Sequence, residues 1–310
     1  MKPTLEEYLR TIVITLTLLG VGISLQRVKQ AKPVFRVVDI LVIWIFLPAV
    51  VFGSIAWQSP TKILGAAVPL AFIGLGVCFL LSMALAKTMR FDKKVGAAVI
   101  LNSSFMNVTY LGFPIVYALI GFQYMGAASL YAMAIGIMHL TFGMTLAAST
   151  TGEKVSVRKT VLRVLTFPAA FVLIVALLFA FLRAPPPSDI QPAFDYMAKP
   201  AFFLMLLLVG YQMPLANPRK YTGALVTTSL VRFVVCPLVT YVTILALGLS
   251  LGEITPKPAL IMAAMPPAVF NIIIASKYKL DLKLYGALVF YSTIISLFVA
   301  LPLLMYVFGF

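Results

Sequence analysis

Ten apolar stretches, each about 20 residues long and all but free of charge, leave this chain little choice of fold. They run approximately from Tyr8 to Leu25, Val38 to Trp57, Ile63 to Leu85, Val95 to Ile120 and Met125 to Ser149. The second five run from Val161 to Leu182, Pro192 to Met213, Tyr221 to Leu249, Ala259 to Ser276 and Leu284 to Phe308. A helix of roughly 20 apolar residues crosses a hydrocarbon core of about 30 Å. Of the 310 residues 62% are hydrophobic and 11% charged, at a mean hydropathy of +1.05. A soluble surface needs about 25% charged residues, so an all-α integral membrane protein is expected. Connections such as Arg27 to Arg36, Lys87 to Lys94 and Gly152 to Lys159 leave no room for a soluble domain, and residues 1–310 read as one membrane domain. Glu6 and Glu7, rather than a basic segment, precede the first span, which argues against a cleavable signal peptide. One His and two Cys exclude a disulfide framework and a His/Cys metal cluster, and no metal or cofactor is expected.

The net charge of +15 suggests nucleic acid until the positions are read. Connections 1–2, 3–4 and 5–6 hold Arg27, Lys29, Lys32, Arg36, Lys87, Arg90, Lys93, Lys94, Lys154, Arg158, Lys159 and Arg163. Connections 7–8 and 9–10 hold Arg219, Lys220, Lys277, Lys279 and Lys283, which makes seventeen of the 24 Lys and Arg on one side. Lys2, Arg10, Lys62, Arg183, Lys199 and Lys257 fall on the other, and Arg232 lies inside a span. By the positive-inside rule the odd-numbered connections are cytoplasmic and both termini outside, in the plasma membrane. The partner is then the lipid bilayer and not nucleic acid.

Ten spans divide into five and five, and an odd-numbered half reinserts upside down. Pro48 and Pro200 differ by 152 positions and each begins a Pro-Ala pair; Pro114 and Pro266 differ by 152 as well. Two matches at one offset suggest inverted repeats, 1–150 and 160–310, the commonest plan of secondary transporters. Span four reads Leu101-Asn102-Ser103-Ser104-Phe105-Met106-Asn107-Val108-Thr109-Tyr110-Leu111-Gly112-Phe113-Pro114, and span nine contains Met265-Pro266-Pro267-Ala268-Val269-Phe270-Asn271. A proline removes a donor and frees carbonyls, which in lipid must be satisfied by neighbouring helices or a cavity. Both spans are therefore expected to be broken helices at a binding site. Half-helices after Pro114 and after Pro267 would turn positive N-termini to the midplane, favouring an anion. Asn107 and Asn271 amides are the expected donors to its carboxylate.

The Asn107-to-Pro114 segment resembles the Asn-Thr-Gly…Gly-x-Pro segment of the auxin efflux carrier family. Leu41 to Trp57, with Phe46-Leu47-Pro48-Ala49, is similar to its second helix, Met265 to Tyr278 to its ninth, and Arg232…Pro237 to its eighth. Met106 stands where a Gly is usual, and Val108-Thr109 replace Thr-Gly. The resemblance implies a scaffold of spans one, two, six and seven. Spans three to five and eight to ten would form a transport unit, with broken spans four and nine crossing beside the substrate. It places Gly112, Pro114, Pro266 and Pro267 at the site, and a homodimer is compatible with such a carrier. Tyr110 either lines the site or packs in the aromatic core, and Ser103, Ser104 and Thr109 either contact ligand or cap broken turns.

The remaining candidates carry two readings each. Arg232, about 16 Å into span eight at 1.5 Å per residue, either holds an anionic substrate or bonds broken-helix carbonyls and snorkels. His139 is a proton-coupling candidate or a hydrogen-bonded packing residue. Asp39 reads as a carboxylate at the start of span two, stabilised by the helix dipole. Cys78 and Cys236 read as small apolar residues, and Trp57 as an interfacial anchor. Asp39 is the one carboxylate within the spans beyond their ends, which disfavours a proton relay of buried acids. The expected function is a secondary carrier of small carboxylate-bearing organic anions, working by alternating access and exporting them. Rivals are a sodium-coupled carrier resembling bile-acid symporters, an integral membrane enzyme, and a ligand-sensing receptor. The spans hold no acid/base or metal constellation for an enzyme, and the chain no cytoplasmic domain for a receptor.

Overall fold

The computed structural model describes residues 5–153 and 156–309; the side chains of residues 5, 60–65, 157, 159 and 163 lie outside that description. Of the basic residues sorted by side above, Lys2 and Lys154, and the side chains of Lys62, Lys159 and Arg163, thus fall outside the described residues.

The described residues form helices joined by turns and short non-helical segments, without a strand. Span one is α1 (Leu5–Leu25). Span two is α2 (Ala31–Leu41) and α3 (Leu47–Ile55), joined by a π-helical segment Val42–Phe46, and span three is α4 (Pro60–Thr88). Span four consists of α5 (Lys93–Ser104), a π segment Val108–Gly112 and α6 (Phe113–Ile120). In span five the π segment His139–Gly143 joins α7 (Met125–Met138) to α8 (Met144–Thr151). Span six is α9 (Val157–Leu165) and α10 (Pro168–Leu182), and span seven is α11 (Gln191–Gln212). In span eight α12 (Thr222–Leu230) passes through Val231–Val235, again π-helical, into α13 (Cys236–Ala246). Span nine is α14 (Pro256–Ala263) and α15 (Phe270–Lys277), and span ten is α16 (Leu282–Ile295), the π segment Ser296–Ala300 and α17 (Leu301–Phe308).

Four of these π segments end immediately before a Leu-Pro, Phe-Pro or Cys-Pro pair: Pro48, Pro114, Pro237 and Pro302 each stand second in the following helix. A proline ring clashes with the carbonyl four residues back, and a widened turn is how a helix passes the clash without stopping.

Among the described residues seven helices, with π segments counted as part of them, are long and apolar enough to cross a membrane: spans one, two, three, five, seven, eight and ten. The other three apolar stretches are divided. Span six, expected to be continuous from Val161, breaks before Pro168, where Phe167 is extended (φ −74, ψ 118) because a residue preceding proline is driven out of the helical region. Spans four and nine each contain residues outside any helix.

The outer surface is apolar, with Phe171 63% and Leu182 73% exposed. A water-facing surface would not carry such residues along whole helices; a lipid-facing one does. Two of the few acids have local work. Asp92 caps α5, accepting from the N–H of Lys94 (2.9 Å) and Val95 (3.0 Å), and Asp281 caps α16 through Lys283 and Leu284. In the packing α1 lies along α11, while α3 contacts α10 and α11; α4 contacts α5, α7 and α13. Helix α1 touches α11 so closely that a Cβ at Gly22 would strike the Leu207 carbonyl, and one at Gly210 the Leu19 carbonyl. Small residues at such contacts are how helices approach where lipid removes the hydrophobic drive.

Candidate functional site

The site begins with the two interruptions. Helix α14 ends at Ala263, just short of Pro266-Pro267, which have no N–H to continue it. Helix α5 ends at Ser104, and Phe105, Met106 and Asn107 run extended or in a turn before the π segment starts at Val108. The second stop is not where the sequence suggested. Pro114 lies well inside the following helical stretch, as the second residue of α6, and the half-helix N-terminus follows Asn107 instead.

The interruptions pair with each other. Met106 and Pro267 form an antiparallel bridge, in which the Asn107 N–H donates to the Pro266 carbonyl (2.8 Å) and the Ala268 N–H to the Phe105 carbonyl (2.9 Å). Away from water each unmatched backbone group costs several kcal/mol, and the bridge removes part of that cost. Side chains remove much of the rest. Arg232, fully buried, donates from Nη1 to the carbonyls of Ser103 (2.9 Å) and Ser104 (3.1 Å), and from Nη2 to that of Ala263 (3.2 Å). These are the last residues of α5 and α14. One guanidinium thus meets the negative ends of two helix dipoles. The Ser296 hydroxyl donates to the Ala264 carbonyl at 2.8 Å.

Asn271, fully buried in α15, completes the frame. Its Nδ2 donates to Asn102 Oδ1 (3.2 Å) and to the carbonyls of Leu101 (3.3 Å) and Phe105 (3.5 Å). Since Nδ2 faces only acceptors, Oδ1 must accept, and its partner is His139 Nε2 at 2.7 Å. That fixes His139 with its proton on Nε2. The imidazole stacks on Phe105 (4.3 Å between centroids, 4°) and meets the edge or face of Phe270 at 85°. Gly143 makes room for it: a Cβ there would lie 2.7 Å from His139 Cδ2.

Beside this frame lies a cavity of about 390 Å³. Of the residues singled out in the sequence, Asn107, Thr109, Tyr110 and His139 line it. Arg232, Asn271, Gly112, Pro114, Pro266 and Pro267 do not. Gly112 packs under Met262 and donates to the Asn107 carbonyl at 2.9 Å. Pro114 instead borders a second cavity, of about 400 Å³, whose charged lining is Glu7, Arg10 and Lys199. Asn107 is 5% exposed, and its side chain makes no capping bond, nor any other hydrogen bond among the described residues. Most of the remaining wall is apolar, including Ile43, Leu47, Met133, Leu140, Phe167 and Phe270.

Two polar residues of this wall, Asp39 and Gln212, were not read as site residues. Asp39 is not at a helix start: α2 begins at Ala31, so Asp39 sits in its third turn, where the N-terminal dipole gives little. Apolarity marked where the helix enters hydrocarbon, not where it begins. Asp39 Oδ1 accepts a hydrogen bond from the Tyr110 hydroxyl at 3.0 Å, and the Gln212 side chain lies beside the same carboxylate. A polar residue closing an apolar span was the available signal for Gln212. Cys78 and Cys236 are buried and free. Trp57 Nε1 donates to the Pro186 carbonyl at 3.1 Å. No group of three or more His, Cys, Asp or Glu converges as metal ligands among the described residues.

Apolar helices with lipid-facing surfaces enclose a cavity beside paired helix interruptions, the arrangement of an integral membrane protein. The sequence matches the family described as membrane transport protein over residues 9–305, and the chain belongs to it, the auxin efflux carrier family. It is 23% identical over 285 residues to an uncharacterized transporter of Methanocaldococcus jannaschii, covering 85% of this chain and 87% of that one. To an uncharacterized transporter of Methanothermobacter thermautotrophicus it is 24% identical over 205 residues, 65% of this chain and 64% of that protein. The chain thus spans less than two thirds of that archaeal relative's length in the match.

Proposed function

We propose that the protein is a secondary carrier of small carboxylate-bearing organic anions, working by alternating access. In this reading ten transmembrane helices form two inverted five-helix repeats, 1–150 and 160–310, and spans four and nine cross as broken helices. Spans one, two, six and seven make the scaffold, and spans three to five and eight to ten move against it. The contacts of α1 with α11 and of α3 with α10 and α11 support that partition. The preponderance of Lys and Arg in the odd-numbered connections supports cytoplasmic placement of those connections, with both termini outside.

One observation carries the substrate reading: Asn107 lines the cavity at the start of a helical segment, and its amide has no hydrogen-bond partner among the described residues. A primary amide and a helix N-terminus together offer hydrogen-bond donors to a carboxylate without burying a fixed cation. The apolar wall suits the carbon skeleton attached to it. Arg232 then serves the two helix ends it touches, and His139 positions Asn271 rather than relaying protons. An anion leaving a cell negative inside gains about 2.3 kcal/mol per net charge moved per 100 mV, which favours export of an anion that crosses without a neutralising cation. The test is purified protein in liposomes, challenged with labelled mono- and dicarboxylates and indole acetate under imposed potential and ion gradients. Uptake or release of at least one carboxylate, abolished in Asn107→Ala, is expected; carboxylates that neither move nor shift the melting temperature would refute the substrate class.

A further inference from the structure

The cavity proposed for an anion carries an acid of its own. Asp39 is the charged residue of its lining; no Lys or Arg belongs to that wall among the described residues. Its surroundings can be gone through element by element. From the segment after the first interruption, the Tyr110 hydroxyl donates to Oδ1 at 3.0 Å. From α11, Gln212 lies beside the carboxylate, and Tyr211 stacks on Phe35 one helical turn away. From span five, His139 shares the cavity but its Nε2 proton is held by Asn271. From spans six and nine the wall is Val164, Phe167, Ala170, Phe270 and Ile273, none of them titratable. On its own helix Arg36 precedes Asp39 by three residues, is exposed, and does not reach the cavity.

An ionised Asp39 and a bound carboxylate would therefore repel with no cation between them. At an effective dielectric near 20, like charges about 6 Å apart weaken binding about a hundredfold. We propose that Asp39 selects the charge state of the cavity: a carboxylate binds there with Asp39 protonated, so that each anion bound takes up one proton from the solution on the cavity's open side. The proton moves from water to an Asp39 carboxyl oxygen on binding and returns to water when the anion leaves. This rests on the anion-carrier reading and gives it a pH dependence. Below the Asp39 pKa the affinity is flat. Above it the affinity falls about tenfold per pH unit, towards a plateau about a hundredfold weaker.

The experiment is equilibrium binding of labelled indole acetate, benzoate and malate to the purified full-length protein. It runs from pH 5.5 to 8.5, where the probes are mainly ionised. Affinity for at least one probe is expected to fall with pH in the parent. In Asp39→Asn it should stay at the parent's low-pH value throughout. Tyr110→Phe removes a donor to the ionised carboxylate, so its fall should begin at higher pH than the parent's. Proton uptake by the parent, followed with a pH-sensitive dye in weak buffer, should approach one per anion bound across the pH range where the affinity falls, vanish on either side of it, and needs no variant to fold. Carboxylate binding that is flat in pH with no proton uptake overturns the inference and leaves the carrier reading standing. The same pH fall in Asp39→Asn, or its loss in His139→Gln alone, puts the proton elsewhere and also overturns it. Binding of tryptamine but of no carboxylate at any pH, lost in Asp39→Asn, overturns the anion reading itself.

Discussion

Asn107 and Asn271 stand beside the two interruptions of this molecule, and the same side chain does opposite things in them. Asn271 is fully buried, with both ends of its amide engaged by His139, Asn102 and the carbonyls of Leu101 and Phe105. Asn107, a few residues along the paired backbone, lines the cavity and contributes only backbone bonds to the frame. The difference lies in what each interruption leaves open. Span nine stops for two prolines, and its Asn enters a helix aimed into the α5 end, where carbonyls need donors. Span four leaves the helix for three residues, Phe105 to Asn107, and span nine for six, Ala264 to Val269; Asn107 falls at the junction and lines the cavity. One Asn is bound into the frame, and the other makes no side-chain hydrogen bond among the described residues.

That contrast can be broken or sharpened by substitution, taken in order of expected loss of stability. Arg232→Met should cost most, about 3 kcal/mol or more, since it strips the donors from Ser103, Ser104 and Ala263 together. Thermal unfolding in detergent is the measurement, and Arg232→Lys should recover only part, because one ammonium cannot reproduce the guanidinium fork. An Arg232→Gln protein that transported like the parent would exclude direct substrate contact by Arg232. Asn271→Ala comes next, at about 2 kcal/mol, from the carbonyls and His139 it leaves unpartnered. Gly143→Ala should cost about 1–2 kcal/mol by pushing the His139 ring off Phe105 and Asn271. Asn107→Ala should change stability by under about 0.5 kcal/mol. Its effect belongs in binding, where losing an amide bond to a carboxylate is worth about 1.5–3 kcal/mol, or tenfold and more. Equal stability losses at Asn107 and Asn271 would end the distinction drawn between them.

Much of the frame could be read from the chain. The ten apolar stretches, the membrane class and the family lay in residue type and spacing, because hydrophobicity over 20 residues is a one-dimensional property. Pro266 and Pro267 announced the interruption of span nine. In span four the helix does not stop at Pro114, which follows a π turn, while Phe105–Asn107, with no proline among them, leave the helix to pair with Pro266–Ala268. Span six was read as continuous although Pro168 lay within it; apolarity outweighed a breaker in that reading, and the backbone decided otherwise.

Residue type and order alone place the chain in a membrane, set how its basic residues alternate, and mark its prolines and asparagines. Tertiary structure alone decided the roles. Arg232 and Asn271 became ties because carbonyls 129 and 170 positions away in sequence needed donors. Asp39 became part of the cavity because Tyr110, 71 positions on, came to lie against it. The reason is physical: hydropathy is carried by each residue and survives in any arrangement, whereas a hydrogen bond or a repulsion exists only once two distant groups are brought within a few ångströms.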